Sequence, residues 1–259
     1  MHFAVFSDVH GNLAALDVML DDLARIGEVD QIWFLGDFVL MGSRPAQCVQ
    51  RLRALHEQHG KEKVRYIGGN TDRYIVTGER PHLDIPSDES AYETHRKRNR
   101  QFEAVYQWTA NQLNFADYQF LQHLLGRELH QHIDGYSTLI GVHAIPGSDD
   151  SNALRPTTPD EVAADALLDR EGRVLVAGHT HLKMDRTLGR WRVLNPGSVG
   201  MSFSAPGMAE WLLLTITADG IETDFRSVPY DLERMLADAA ATSYPDLDFL
   251  RERFTQPPA

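Results

Sequence analysis

The chain opens on an unbroken apolar run, Met1 to Ser7, the pattern of a strand buried on both faces. It stops at the polar groups of Asp8-Val9-His10-Gly11-Asn12. Residues i and i+2 of an extended chain share a side, so Asp8 and His10 converge while Val9 turns away. Apolar spacing over Leu13 to Ile26 predicts a helix, with Gly11 permitting a tight turn before it and Asn12 placed as its cap. The unit then repeats. Gln31 to Leu35 is a short strand ending in Gly36-Asp37, and a helix follows over Pro45 to His59. Lys63 to Ile67 is a third strand, ending in Gly68-Gly69-Asn70-Thr71-Asp72. This succession predicts an α/β core with right-handed crossovers.

Between about 74 and 125 the rhythm changes. Gly78 to Ser87 reads as a loop and Ala91 to Leu125 as mostly helical, with Phe102, Val105, Trp108, Leu113, Phe120 and Leu124 as its apolar stripe. Such a helical insertion serves either as a cap over a site or as a packing layer, and its aromatic residues read as core. The core resumes with a strand over Ser137 to Val142, ending at His143. A helix is expected near Thr158 to Asp169, and a strand over Arg173 to Ala177 runs into Gly178-His179-Thr180-His181. Trp191 to Leu194, Glu210 to Ile216 and Gly220 to Phe225 then read as successive antiparallel strands, with Asp219-Gly220 as the last hairpin turn. No repeat or linker interrupts the chain, so one domain over 1–259 is expected.

Composition narrows the function classes. With 259 residues, 42% of them hydrophobic and 24% charged, the chain reads as a soluble globular protein with a substantial core; only the tail from Thr255 to Ala259 suggests disorder. A net charge of −12 argues against long nucleic acid as a partner, but not against a phosphate substrate, because bound cations can reverse the potential of a single cleft. The dense basic run from His95 to Arg100 reads as a solvated helix face beside Asp88, Glu89 and Glu93. Cys48 is the only cysteine, which rules out an intrachain disulfide and cysteine-rich zinc patterns, and its helical setting marks it as a small packed residue. The chain opens on a strand and has no run of eighteen apolar residues, so neither a signal peptide nor a membrane span is expected, and the cytoplasm is the expected compartment.

Five apolar strands thus end in metal-competent groups: Asp8 and His10, Asp37, Asn70, His143, and His179 with His181. Groups at the carboxyl ends of strands in an open α/β sheet collect in one crevice. Imidazoles, carboxylates and an amide oxygen suit Mn, Fe, Zn, Co or Ni, with Mn favoured here. The remaining histidines, among them His56, His59, His123 and His130, lie in helical or loop patterns and read as ordinary hydrogen-bonding residues.

These segments, together with Asn195-Pro196-Gly197-Ser198-Val199-Gly200 and Val228 to Glu233, resemble the motif series of the calcineurin-like metallophosphoesterases, in particular their small bacterial and archaeal branch. The resemblance implies a four-layer αββα sandwich of two mixed sheets flanked by helices. It also implies two divalent metal ions: Asp8, His10 and His181 on one, Asn70, His143 and His179 on the other, and Asp37 bridging. A water shared by cations roughly 3.5 to 4 Å apart is acidified enough to supply hydroxide, which attacks phosphorus in line. Asp37, Asn70 and Asp72 would carry catalysis, Asp72 by orienting a ligand, and Asn12 and Arg44 are candidates for touching the substrate phosphate.

Two departures qualify the expectation. Many relatives carry His after the ligand Asn, where this chain has Thr71, so a general acid is missing. Ala144-Ile145-Pro146 replaces the small polar pair that usually follows the ligand His. The expected activity is hydrolysis of small phosphoesters, diesters before monoesters. A protein serine/threonine phosphatase or diadenosine polyphosphate hydrolase is the alternative, weakened because Phe38-Val39-Leu40-Met41-Gly42 lacks the Asp-Arg-Gly those relatives show and Gly69-Asn70-Thr71-Asp72 lacks their His-Glu. A non-catalytic scaffold of the same fold is a further alternative, and a homo-oligomer stays open.

Overall fold

A computed structural model describes residues 1–81, 85–167, 170–217 and 220–256. In chain order the elements are β1 (His2–Phe6), α1 (Leu13–Ile26), β2 (Gln31–Phe34), α2 (Pro45–His59), β3 (Val64–Tyr66), α3 (Asn70–Thr77), α4 (Glu89–Gln112), α5 (Phe115–Leu124), β4 (Leu129–Ile133), β5 (Ser137–Val142), α6 (Asp160–Asp165), β6 (Val174–Ala177), β7 (Met184–Leu188), β8 (Trp191–Asn195), β9 (Met208–Thr217), β10 (Gly220–Pro229), α7 (Leu232–Ala241) and α8 (Leu247–Thr255). They form two five-stranded sheets, ordered β10-β9-β1-β2-β3 and β4-β5-β6-β8-β7.

Alternation along the strands assigns each side chain to a layer. Ala4 and Phe6 of β1, with Ile32 and Phe34 of β2, face α1 and α2 through Leu16, Met19, Val49 and Leu52. Phe3 and Val5 point the other way, where Trp33, Leu212 and Leu214 meet Leu139, Val174, Val176 and Leu194 of the second sheet. The outer face of that sheet, through Ile140, Leu175 and Val193, is covered by Leu154, Ala163 and Leu167. The result is the expected sandwich of two mixed sheets between helices. β1 lies parallel to β2 and antiparallel to β9, so its carboxyl end opens at the centre of its sheet.

The helical insertion is a packing layer. Val105 and Tyr106 of α4 are buried with Tyr74 of α3 and with Leu236, Phe249 and Phe254 of α7 and α8. It is also two helices: Asn114 caps α5 by accepting from the Asp117 N–H at 3.0 Å, and Asp117 accepts the Asn114 N–H at 3.2 Å, a reciprocal cap that ends α4.

The carboxyl half departs from expectation. Trp191 to Leu194 does not join a run of antiparallel hairpins: β8 runs parallel to β6 and antiparallel to β7 in the second sheet, while β9 and β10 pair with each other in the first. Helix α6 is shorter than the Thr158 to Asp169 span, whose Leu168 and Asp169 lie outside the described residues. Also outside them are Asp219 of the expected turn, 82–84 of the expected loop and 257–259 of the tail. Cys48 is fully buried in the α2 face, as its pattern implied. No helix of the described residues is long and apolar enough to cross a membrane.

Candidate metal centre

The segments after β1, β2, β3, β5 and β6 meet at one place. Asp8, His10, Asp37 and His181 each offer a ligand atom, all within 4.8 Å of one another, and all four residues are buried. His181 Nε2 lies 3.0 Å from His10 Nε2 and 3.2 Å from Asp8 Oδ1. Asp37 faces both sides: its Oδ2 is 3.6 Å from His10 Nε2 and its Oδ1 is 3.4 Å from His143 Nε2. Beyond it, the Asn70 side-chain oxygen lies 3.0 Å from both His143 Nε2 and His179 Nδ1. All seven residues singled out from the strand ends are therefore in one cluster, in two groups joined through Asp37.

Backbone strain aims them. Asp8, His10, Asp37, His179 and His181 have φ of 59°, 49°, 56°, 65° and 57°. For residues with a Cβ this left-handed region costs about 1–3 kcal/mol each, and it persists where surrounding contacts over-determine it. Those contacts are present. Ser198 donates its hydroxyl to the Asp8 carbonyl at 2.8 Å, and the Gly200 N–H reaches the same oxygen at 2.9 Å. Asn195 donates to the Gly178 carbonyl at 2.7 Å, bracing the turn that carries His179 and His181. The Asn195 to Gly200 segment thus supports the candidate ligands from behind, a role visible in the sequence only through the motif resemblance.

Glycines make room. A Cβ on Gly69 would lie 2.2 Å from Asp37 Oδ1 and 2.6 Å from His143 Cε1; one on Gly178 would lie 1.8 Å from Ser7 Oγ. The Gly68-Gly69 pair was legible as a turn, whereas its packing against the carboxylate was not.

Among the described residues, Asp72 makes no hydrogen bond to any of these seven side chains. Its carboxylate accepts the backbone N–H of Asp37 at 2.9 Å, Gly69 at 3.0 Å, Phe38 at 2.9 Å and Val39 at 3.3 Å, so it clamps the β2 and β3 loops together. Thr71 is equally committed, its hydroxyl donating to the Val39 carbonyl at 3.0 Å. Asn12 caps α1 by accepting from Ala15 at 3.1 Å and donates to the Gly200 carbonyl at 2.8 Å. Arg44 forms a two-point ion pair with Asp238 of α7. The side chains of Asn12 and Arg44 are thus engaged within the protein.

The electrostatics suit a cation. Burial raises the Asp8 carboxyl, but the charges of the surrounding histidines, His181 foremost, overcome it and hold the group well below its ordinary value. Burial, reinforced by the Asp8 charge, drives Asp37 well above the ordinary range. Burial and neighbouring imidazoles push His10 far down and His179 down to about 3, which leaves both neutral and able to ligate. His143 Nδ1 and His181 Nδ1 donate to the carbonyls of Leu35 and Met201 at 2.6 and 2.7 Å, which turns the lone pairs of their Nε2 atoms inward. Asp8 Oδ1 is buried without any hydrogen-bond partner, and the Nε2 atoms of His10 and His181 face each other at 3.0 Å. Backbone N–H groups of His179 and Thr71 hold Asp8 Oδ2 and Asp37 Oδ1, which leaves Asp8 Oδ1 and the facing imidazole lone pairs as a mixed nitrogen and oxygen set that a divalent cation would satisfy.

Comparison with known proteins agrees. Over 53 residues the chain is 43% identical to the uncharacterized protein MJ0912 of Methanocaldococcus jannaschii, a stretch that covers 20% of this chain and 21% of that protein. The chain therefore spans about a fifth of that relative's length. The crystal structure of a metallophosphoesterase from Sphaerobacter thermophilus matches with a TM-score of 0.69 at 25% identity, covering 98% of each chain. The hypothetical protein PH1004 from Pyrococcus horikoshii shares the fold with a TM-score of 0.78 at 20% identity, covering 100% of this chain and 99% of that one. The profile of the calcineurin-like phosphoesterase superfamily domain matches residues 1–219, and the chain belongs to that superfamily.

Proposed function

We propose that the protein is a phosphoesterase with two divalent cations, manganese among the metals that support it, acting on small phosphoesters with diesters preferred. The observation that carries this reading is the placement of Asp37, whose two oxygens face His10 and His143 at 3.6 and 3.4 Å. A bridging carboxylate needs that disposition. Asp8, His10 and His181 would hold one ion, Asn70, His143 and His179 the other, and the 1–259 chain would act as one domain.

When bound, such cations acidify water and neutralise charge on phosphoryl oxygens. The protein's part is to hold the ligands rigid. The Asp8 and Asp37 carboxylates would offset the positive charge and the imidazoles would donate lone pairs, while the Asp72 clamp and the Asn195 to Gly200 segment fix their directions. His179 is the least buried of the histidine ligands and marks the side from which a substrate enters. With Thr71 donating to Val39, the protein offers no acid at that position, which favours esters whose leaving groups need no proton. Hydrolysis of bis-p-nitrophenyl phosphate and p-nitrophenyl phosphate in Mn²⁺ tests the reading: the diester should be cleaved faster, and the absence of hydrolysis of either ester by the metal-loaded protein would contradict it.

A further inference from the structure

Glu210 of β9 is a carboxylate enclosed by the protein, with 1% of its surface exposed. Burying a carboxylate is costly unless charge and hydrogen bonds compensate it. Both oxygens are engaged. Oε1 lies 3.0 Å from the Lys183 ammonium, and Oε2 accepts the Ser202 hydroxyl at 2.7 Å. The Gly197 backbone comes so close that a Cβ there would lie 2.3 Å from Oε2, and the Glu210 N–H donates to the Ser198 carbonyl at 3.0 Å. Lys183 donates also to the Ser227 hydroxyl of β10, opposite Glu210 in the strand pair.

The two partners of this carboxylate lie on either side of His181. Lys183 follows it by two residues and leads into β7. Ser202 follows Met201, whose carbonyl accepts from His181 Nδ1 at 2.7 Å. Between them the two segments are joined repeatedly: the Phe203 N–H donates to the His181 carbonyl at 3.3 Å, the Lys183 N–H donates to the Ser204 hydroxyl at 3.2 Å, and the Phe203 ring lies 4.5 Å from the imidazole. The Ser202 hydroxyl accepts the Ala205 N–H at 2.9 Å, which closes the turn. The Met201 carbonyl decides which imidazole nitrogen carries the proton. With Nδ1 donating to it, Nε2 is left with a lone pair, 3.2 Å from Asp8 Oδ1.

We propose that Glu210 is a positioning residue for His181: from the first sheet it holds the Met201-Ser202 turn and Lys183, and so fixes the tautomer and direction of that imidazole. Its consequence for metal binding rests on the two-cation reading above, in which His181 is a ligand. A carbonyl that orients the far nitrogen of a ligating imidazole works only while it stays in place, and the Ser202 contact keeps it there.

Long-range proton–nitrogen NMR correlations of the metal-free protein, at a pH where the imidazoles are neutral, test this without turnover. Wild type should show His181 as the Nδ1–H tautomer, its signals identified by their loss in His181→Asn. Glu210→Gln and Ser202→Ala should each bring a second, Nε2–H form of His181 into view, while His143, held by the Leu35 carbonyl, keeps its Nδ1–H form. Ser202→Ala removes a single hydroxyl and keeps the test open if Glu210→Gln does not fold. In competition with a metal-sensitive chelator, both variants should bind one Mn²⁺ about 10–100-fold more weakly and the other as wild type does. An Nε2–H tautomer in wild type, an unchanged His181 in the folded variants, an equal change at His143, or an equal loss at both ions overturns the proposal. A tautomer that shifts at His181 alone, in a protein that binds no Mn²⁺, supports the proposal and contradicts the two-cation reading instead.

Discussion

The carboxylate of Asp72 holds the backbone N–H of Asp37 at 2.9 Å, so the residue proposed to bridge two ions is positioned by a carboxylate behind it. Asp72 also holds Gly69, Phe38 and Val39, and an amide in its place would turn an NH₂ group on some of these donors. Asp72→Asn should lower metal affinity about 10–100-fold, as loss of an orienting partner commonly does. Competition with a metal-sensitive chelator measures this; unchanged affinity would deny Asp72 its positioning role.

Gly69 makes a sharper steric prediction. Its φ of −107° and ψ of −175° are open to any residue, so the cost of Gly69→Ala is contact, not conformation. The new Cβ would lie 2.2 Å from Asp37 Oδ1. We expect a loss of about 1–3 kcal/mol of stability together with metal binding, read by urea unfolding and by metal content after dialysis.

Thr71 predicts selectivity among leaving groups. Its hydroxyl is spent on the Val39 carbonyl and cannot follow a departing alkoxide. Missing acid catalysis costs about 10²–10⁴ in rate for poor leaving groups, so alkyl esters should lag behind nitrophenyl esters by that order. A flat dependence of rate on leaving-group pKa would show that another group supplies the proton.

Asp22 gives the pH dependence of the scaffold. It accepts from Arg226 at 2.8 and 3.1 Å and from the Trp211 indole at 3.1 Å, tying α1 to β9 and β10. The Arg226 hydrogen bond, against burial, holds its carboxyl below the ordinary 3.8. A lowered folded value means stability that is present above pH 3.8 and lost as pH falls through the folded pKa. Asp22→Asn should therefore cost about 1–3 kcal/mol at pH 7, and wild type and variant should converge in acid. Urea midpoints at the two pH values check the sign.

The convergence of the site was legible because its residues stand at strand ends, where apolar runs stop at Asp, Asn and His; β1, β2, β3, β5 and β6 all bring them to one place. Helix α1 matched its apolar spacing and its Asn12 cap, and helix α2 its apolar spacing. Other elements were hidden for physical reasons. β4, Leu-His-Gln-His-Ile, is an edge strand of the second sheet with only its two ends buried, so its pattern is mostly polar. β7 is likewise an edge strand buried only at Met184 and Leu188. α3 starts at the ligand Asn70 itself, and Gly68-Gly69 before it reads only as a turn. The place of β8 in the second sheet depends on pairing with β6, which strand order along the chain does not reveal.

The most direct measurement is metal stoichiometry coupled to turnover: Mn²⁺ titrated into the metal-free protein while bis-p-nitrophenyl phosphate hydrolysis is followed, in wild type and in Asp37→Asn. Activity that rises to a plateau at two ions per chain, and is abolished in the variant, is the predicted result. A protein that binds two ions without hydrolysing the diester, or that binds none, would contradict it.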